Sequence, residues 1–187
     1  LEPGERHREA PVCCCTARHT YIRSHEGCCE SQAFFESFDS GLTTWEVYSS
    51  SASVKWQAVE NQRSISGNSS LYYGNSAVWN YDTGNTSNGG AVRSAIVTIP
   101  ESGDLSLRFY VWLDVEDVED FDEVGLRVLP SGTVIWNKTN VPKFGEWYYV
   151  VVDLQAFAGE AIQFQFEMNT VDGVDNTTEG VYIDDIS

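Results

Sequence analysis

Basic residues are scarce, and histidine is missing from most of the chain. Of 187 residues only 11 are Lys or Arg, against 28 Asp or Glu, which leaves a formal charge of -17. Nucleic-acid affinity rests largely on Lys and Arg neutralising phosphates, so no nucleic-acid partner is expected. An acidic excess of this kind suits a solvated, self-repelling surface, or one that collects cations. No apolar run is long enough to cross a bilayer, and no secretory leader stands at the front. The chain starts at Leu1 rather than Met, which reads as a processed product or a piece of something longer, so a missing leader does not argue against export. No histidine lies beyond His25, so a Ser-His-Asp triad would have to borrow His7, His19 or His25. G-x-S-x-G, H-E-x-x-H, Walker and dinucleotide-binding patterns are absent too. The expectation is a protein without bond-making chemistry.

No segment shows three turns of amphipathic helix either; the apolar pattern has a period of two. "LSLRFYVWL" sets Leu105, Leu107, Phe109, Val111 and Leu113 on one face and Arg108, Tyr110 and Trp112 on the other. "AIQFQFEM" sets Ile162, Phe164, Phe166 and Met168 inward, with Gln163, Gln165 and Glu167 outward. This alternation marks half-buried strands. Further strands are expected over 43–49, 54–60, 70–74, 91–99, 123–129, 133–137, 147–154 and 180–186, separated by turn clusters such as "SGNSS", "TGNTSNGG" and "PSGT". Residues 114–123 hold seven acids and no base, and read as an acidic loop. About ten antiparallel strands in one domain point to two packed sheets.

The stretches "FFESFDSG" and "YIDDIS" put carboxylates beside residues that belong in a core. A bare buried carboxylate is costly, and a shared hard cation is one remedy. Calcium takes six to eight oxygens from carboxylates, amides and carbonyls. If the first and last strands lie together, Glu36 converges with Asp184 and Asp185. The alternative is that all three are surface acids. Glu167 is the fairest catalytic acid, although a lone outward Glu between glutamines is usually surface.

From Phe34 to Ser187 the chain resembles jelly-roll domains of the cleaved-adhesin and MAM-like group, found in secreted prokaryotic adhesins and peptidases. The resemblance is carried, in order, by "FFESFDSG" followed by Trp45, "SGNSSLYYGN", "LSLRFYVWLDVE", "FDEVGLRV", "WYYVVVDLQAFAGEAIQFQFEM" and "GVYIDDIS". It implies an all-β, two-sheet antiparallel jelly-roll sandwich over 33–187, non-catalytic, with structural calcium between its first and last strands. By position the ligands it implies are Glu36, then Asp184 and Asp185, with Asp39 and Asn75 nearby. Asp122 would belong to a second site or steady the acidic loop.

Residues 1–32 fall outside that resemblance and form a cysteine- and histidine-rich extension. Cys13, Cys14, Cys15, Cys28 and Cys29, with His19 and His25 between them, leave three readings open. Two disulfides would leave one thiol over, free for a bridge to another chain. A soft ion, zinc or copper, would use thiolates and imidazoles, although the spacing lacks a C-x-x-C pair. Free or lipidated thiols are the third. The extension's arginines suit docking on the acidic body of a neighbouring copy, as in a surface filament or layer. Sequons stand at Asn68, Asn85, Asn137 and Asn176. Outward Tyr110, Trp112, Trp147 and Tyr149 could form a platform for a sugar or a protein partner, or be covered as pure architecture. The functional expectation is an extracellular or cell-surface module for adhesion, with protein or glycan partners. Self-assembly and carbohydrate binding are the alternatives.

Overall fold

Strict alternation of large apolar and polar residues builds the two longest strands, and these set the frame. The computed structural model describes residues 34–187. Its strands are β1 (Glu46–Ser49), β2 (Lys55–Glu60), β3 (Ser69–Gly74), β4 (Gly89–Arg93), β5 (Val97–Thr98), β6 (Ser106–Asp114), β7 (Glu123–Leu129), β8 (Thr133–Asn137), β9 (Trp147–Asp153), β10 (Ala161–Asn169) and β11 (Gly180–Asp184). One sheet has the order β1-β4-β10-β7-β8, with β5 also pairing β10. The other has the order β2-β3-β11-β6-β9. Neighbouring strands run antiparallel throughout the described pairings. The two sheets face each other as a jelly-roll sandwich.

Burial along β6 and β10 follows the alternation residue by residue. Phe109 of one sheet meets Phe166 and Trp136 of the other edge-on, with centroids 5.3 and 5.4 Å apart. The expected strand 91–99 divides in two. Opposite β10, four steps from Arg93 to Val97 match three steps from Gln165 to Ile162, which is one extra residue and hence a bulge. Ser94 holds the bulge by donating its N–H to the Phe164 carbonyl and accepting the Phe164 N–H on its hydroxyl, while Ile96 turns out to solvent. Gly180 opens β11 at φ +110, and a Cβ there would lie 2.4 Å from the Tyr73 carbonyl oxygen, so the close approach of β3 requires glycine.

Removing the ring that joins the sheets is expected to cost roughly 3–5 kcal/mol in Phe109→Ala, whereas Phe109→Leu costs less because volume is better kept. Urea unfolding of the two variants beside wild type checks this, and equal midpoints in all three would contradict it.

Candidate functional site

The first and last described segments meet. Glu36 and Ile186 exchange both backbone bonds, N–H to O at 2.9 and 3.0 Å. Arg108 of β6 brackets the other side of the terminal segment by a reciprocal pair with Ser187, both bonds 2.8 Å. The seam thus brings the opening acids, Glu36 and Asp39, next to the closing acids, Asp184 and Asp185.

Each of these acids has found donors of its own. Glu36 accepts the Phe38 N–H at 2.8 Å on one oxygen and the Trp45 indole N–H at 3.1 Å on the other. This holds Phe38 at φ 60, an uncommon conformation for a bulky residue, with its ring fully buried against Trp45. Asp39 receives the N–H groups of Asn68 and Ser69, and the first of these leads in holding its carboxyl below the ordinary value. Asp184 is fully buried and accepts the N–H of Ile65 at 2.6 Å and of Asp185 at 2.8 Å. Burial outweighs those bonds and pushes its carboxyl up to about 6. Asp185 accepts the Ser66 hydroxyl. None of these four acids is a partner in the ion pairs Arg63–Glu179, Arg127–Glu167 and Lys143–Glu146.

The ends therefore converge as expected, but their side chains diverge. Glu36 turns to Trp45, while Asp184 turns to the 65–66 segment, and the two share no partner. Among the described residues no three acidic, histidine or cysteine side chains gather as a metal-holding group. Asn75 does not join the seam. It follows β3 at the end remote from Ser69 and Ser70, and pairs with Asn80; five steps along the strand separate it from Ser70, about 17 Å. The donor types at the seam are carboxylate and carbonyl oxygens, the kind that calcium takes.

The acidic loop is less exposed than its composition suggests. Asp122 is fully buried, and burial raises its carboxyl. Lys138, itself buried, donates to the carbonyls of Glu116, Val118 and Phe121 and so pins the loop from inside. Nothing in the alternation pointed to that lysine, because the β8 strand ends just before it. Among the sequons, Asn68, Asn85 and Asn137 are exposed, but Asn176 is only 1 % exposed and holds the Asp172 carbonyl, which rules it out as a glycan acceptor in the folded chain. The expectations for Cys13, Cys14, Cys15, Cys28, Cys29, His19 and His25 lie outside the described residues.

The outward aromatics split. Tyr72 stacks on Tyr182 at 4.6 Å, Trp79 packs on Tyr72, and the Arg63 guanidinium lies 3.9 Å from the Trp112 ring centre, tied down by Glu179. This half of the face is roofed. Trp147 packs against Trp112, whereas Tyr110 and Tyr149 form a pair at the open edge. A separate open groove of about 890 Å3 lies over β4, β10 and β7. Gly89, Ala91 and Gly125 line it with little side chain, Tyr48 is at one edge, and Arg127, Glu167 and Asn137 supply polar groups. Glu167 is bound there by Arg127 at 2.6 Å.

No family model matches the chain. It is 29% identical over 153 residues to Bacillopeptidase F of Bacillus subtilis (strain 168), covering 81% of this chain but only 10% of that protein. Among solved structures, the K1 cleaved adhesin domain of Lys-gingipain from Porphyromonas gingivalis W83 superposes with a TM-score of 0.55 at 16% identity, over 83% of this chain and 96% of that one. The structure of TmCBM61 in complex with beta-1,4-galactotriose superposes with a TM-score of 0.52 at 17% identity, over 80% and 91%. The resemblance to the cleaved-adhesin jelly roll holds at the level of the fold.

Asp184 sets a sign for pH. Its folded carboxyl, near 6, lies above an unfolded value of ~3.9, so the native state binds the proton more tightly. That contribution is fully present below the unfolded value and is lost as pH rises through about 6. In chelator, the unfolding free energy from urea titration should rise as pH falls from about 7 to about 5, by roughly 1 kcal/mol for this group. Asp184→Asn should flatten the slope. A wild-type midpoint that falls over the same range would contradict the assignment.

Proposed function

We infer that this chain is a non-catalytic adhesion or accessory module, working outside the cell, that binds glycan through the groove over β4, β10 and β7. The groove is the observation that carries this reading. Sugars are bound by an aromatic ring beneath the pyranose and hydrogen-bonding groups around it. Tyr48, which is 46% exposed, offers the ring; Arg127, Glu167 and Asn137 offer donors and acceptors; the glycine floor leaves room for a saccharide. Exposed sequons and an acidic surface are compatible with an extracellular setting. No helix among the described residues is long and apolar enough to cross a membrane.

Calcium at the seam completes the reading. Glu36 or Asp185, with neighbouring backbone carbonyls, would hold it, and it would offset the clustered charge beside buried Asp184. The ion's role is structural: it binds only the folded ends, so its binding energy adds to stability.

Two outcomes follow. On an oligosaccharide panel, Tyr48→Ala should weaken any captured glycan about tenfold, equivalent to ~1.4 kcal/mol, while leaving the melting temperature in place. No capture by wild type, or capture indifferent to Tyr48, would end the groove reading. In a sample first shown to contain calcium, chelator should lower the melting temperature by roughly 5–10 °C. An unchanged temperature would remove the seam ion and leave the groove reading untouched.

A further inference from the structure

Where the acidic loop 114–123 meets the 172–179 segment, two buried oxygens have no donor. Asp122 is fully buried. Its Oδ2 accepts the Tyr81 hydroxyl at 2.5 Å and the Glu116 N–H at 2.8 Å, but its Oδ1 has no hydrogen-bond partner among the described residues. Asn176 is 1 % exposed. Its Nδ2 donates to the Asp172 carbonyl at 3.2 Å, and its Oδ1 is likewise unpartnered. Flipping that amide would bring two acceptors face to face at Asp172, so the oxygen stays where it is. The Tyr81 hydroxyl joins the two segments, since the Asp175 carbonyl lies 3.5 Å from it and Thr178 donates to it at 3.1 Å. Asn176 is the next residue along from that carbonyl.

The nearest base does not supply the missing donor. An ammonium has three hydrogens, and Lys138 directs them to the carbonyls of Glu116, Val118 and Phe121. The surroundings deepen the deficit, because Asp172 repels the Asp122 charge, and Asp172 and Asp175 both act on Glu116. Two lone acceptors, one of them anionic, in an acidic and enclosed junction call for a cation rather than for another acceptor.

We propose that the junction is a binding site for a hard divalent cation, calcium by its ligand chemistry, with Asp122 Oδ1 and Asn176 Oδ1 as the buried side-chain ligands and backbone carbonyls and water completing the shell. Magnesium fits less well, since it demands a tight octahedron and retains its water. With one carboxylate in the shell the affinity is weak, on the order of 10⁻⁴–10⁻³ M, the range of extracellular modules. The ion would bolt the acidic loop to the segment leading into β11. The site is separate from the seam and does not depend on glycan binding.

The test is calcium stoichiometry and affinity by equilibrium dialysis on the chelator-stripped full chain, for wild type, Asp122→Asn, Asn176→Leu and Asp184→Asn. Asp122→Asn and Asn176→Leu should each lose one calcium, or bind it at least tenfold more weakly, while Asp184→Asn keeps it. In chelator, Asp122→Asn should melt at or above wild type, because a buried, undercompensated charge is gone. Should Asn176→Leu fail to fold, Asp122→Asn decides alone. Wild-type stoichiometry and affinity in Asp122→Asn would overturn the site and assign the two oxygens to buried water. A calcium lost only in Asp184→Asn would place the ion beside that acid and overturn this site.

Discussion

The closure of the chain on itself is the constraint from which the rest follows. Two backbone bonds between Glu36 and Ile186 fix the opening segment against the end of β11, which lies between β3 and β6 in its sheet. With that seam made, Phe38 and Trp45 are driven into the core against Phe166, and the opening and closing acids are forced into proximity. Without it, the sandwich would have a loose first segment and an open end to its core. The seam's electrostatic problem is the consequence of its packing success. Burial that stabilises Ile183 and Ile186 also strips water from Asp184.

The protein meets that problem in two ways. Backbone amides do most of the local work: Glu36, Asp39 and Asp184 each collect N–H donors from turns that fold around them. Such bonds favour the charged form but do not replace the hydration of a fully enclosed carboxylate. Inside the acidic loop a lysine ammonium takes the place that a metal ion often holds, drawing three carbonyls around itself. The fully buried acids among the described residues, Asp122 and Asp184, instead take hydrogen bonds from backbone N–H groups and the Tyr81 hydroxyl. On the calcium proposals, cations from solution would supply further positive charge, both at the seam and at the Asp122 junction.

Period-two alternation made the sandwich legible, because β6 and β10 carry an inward face that is apolar at every step. The bulge at Ser94 was not legible, since a serine standing in for a strand bond looks like any surface serine. Meeting of the chain ends was anticipated, but the direction of the side chains was not. Phe38 and Asp185 both adopt positive φ, which rotates the acids away from regular strand geometry, and sequence alternation says nothing of that. Asn75 was misplaced for a similar reason: nearness to a matching motif does not tell which end of β3 a residue occupies. Asp122 was anticipated as a member of a second site or a brace for the acidic loop, but its full burial among more exposed acids was not.

The most direct trial of a cation at the seam is an anomalous difference map from crystals grown in saturating calcium. A peak is predicted where the Glu36 and Asp185 segments meet, with oxygens at ~2.3–2.6 Å around it. Featureless density there, with calcium located elsewhere in the same crystal, would contradict the account and leave the amide donors as the whole of the seam's compensation.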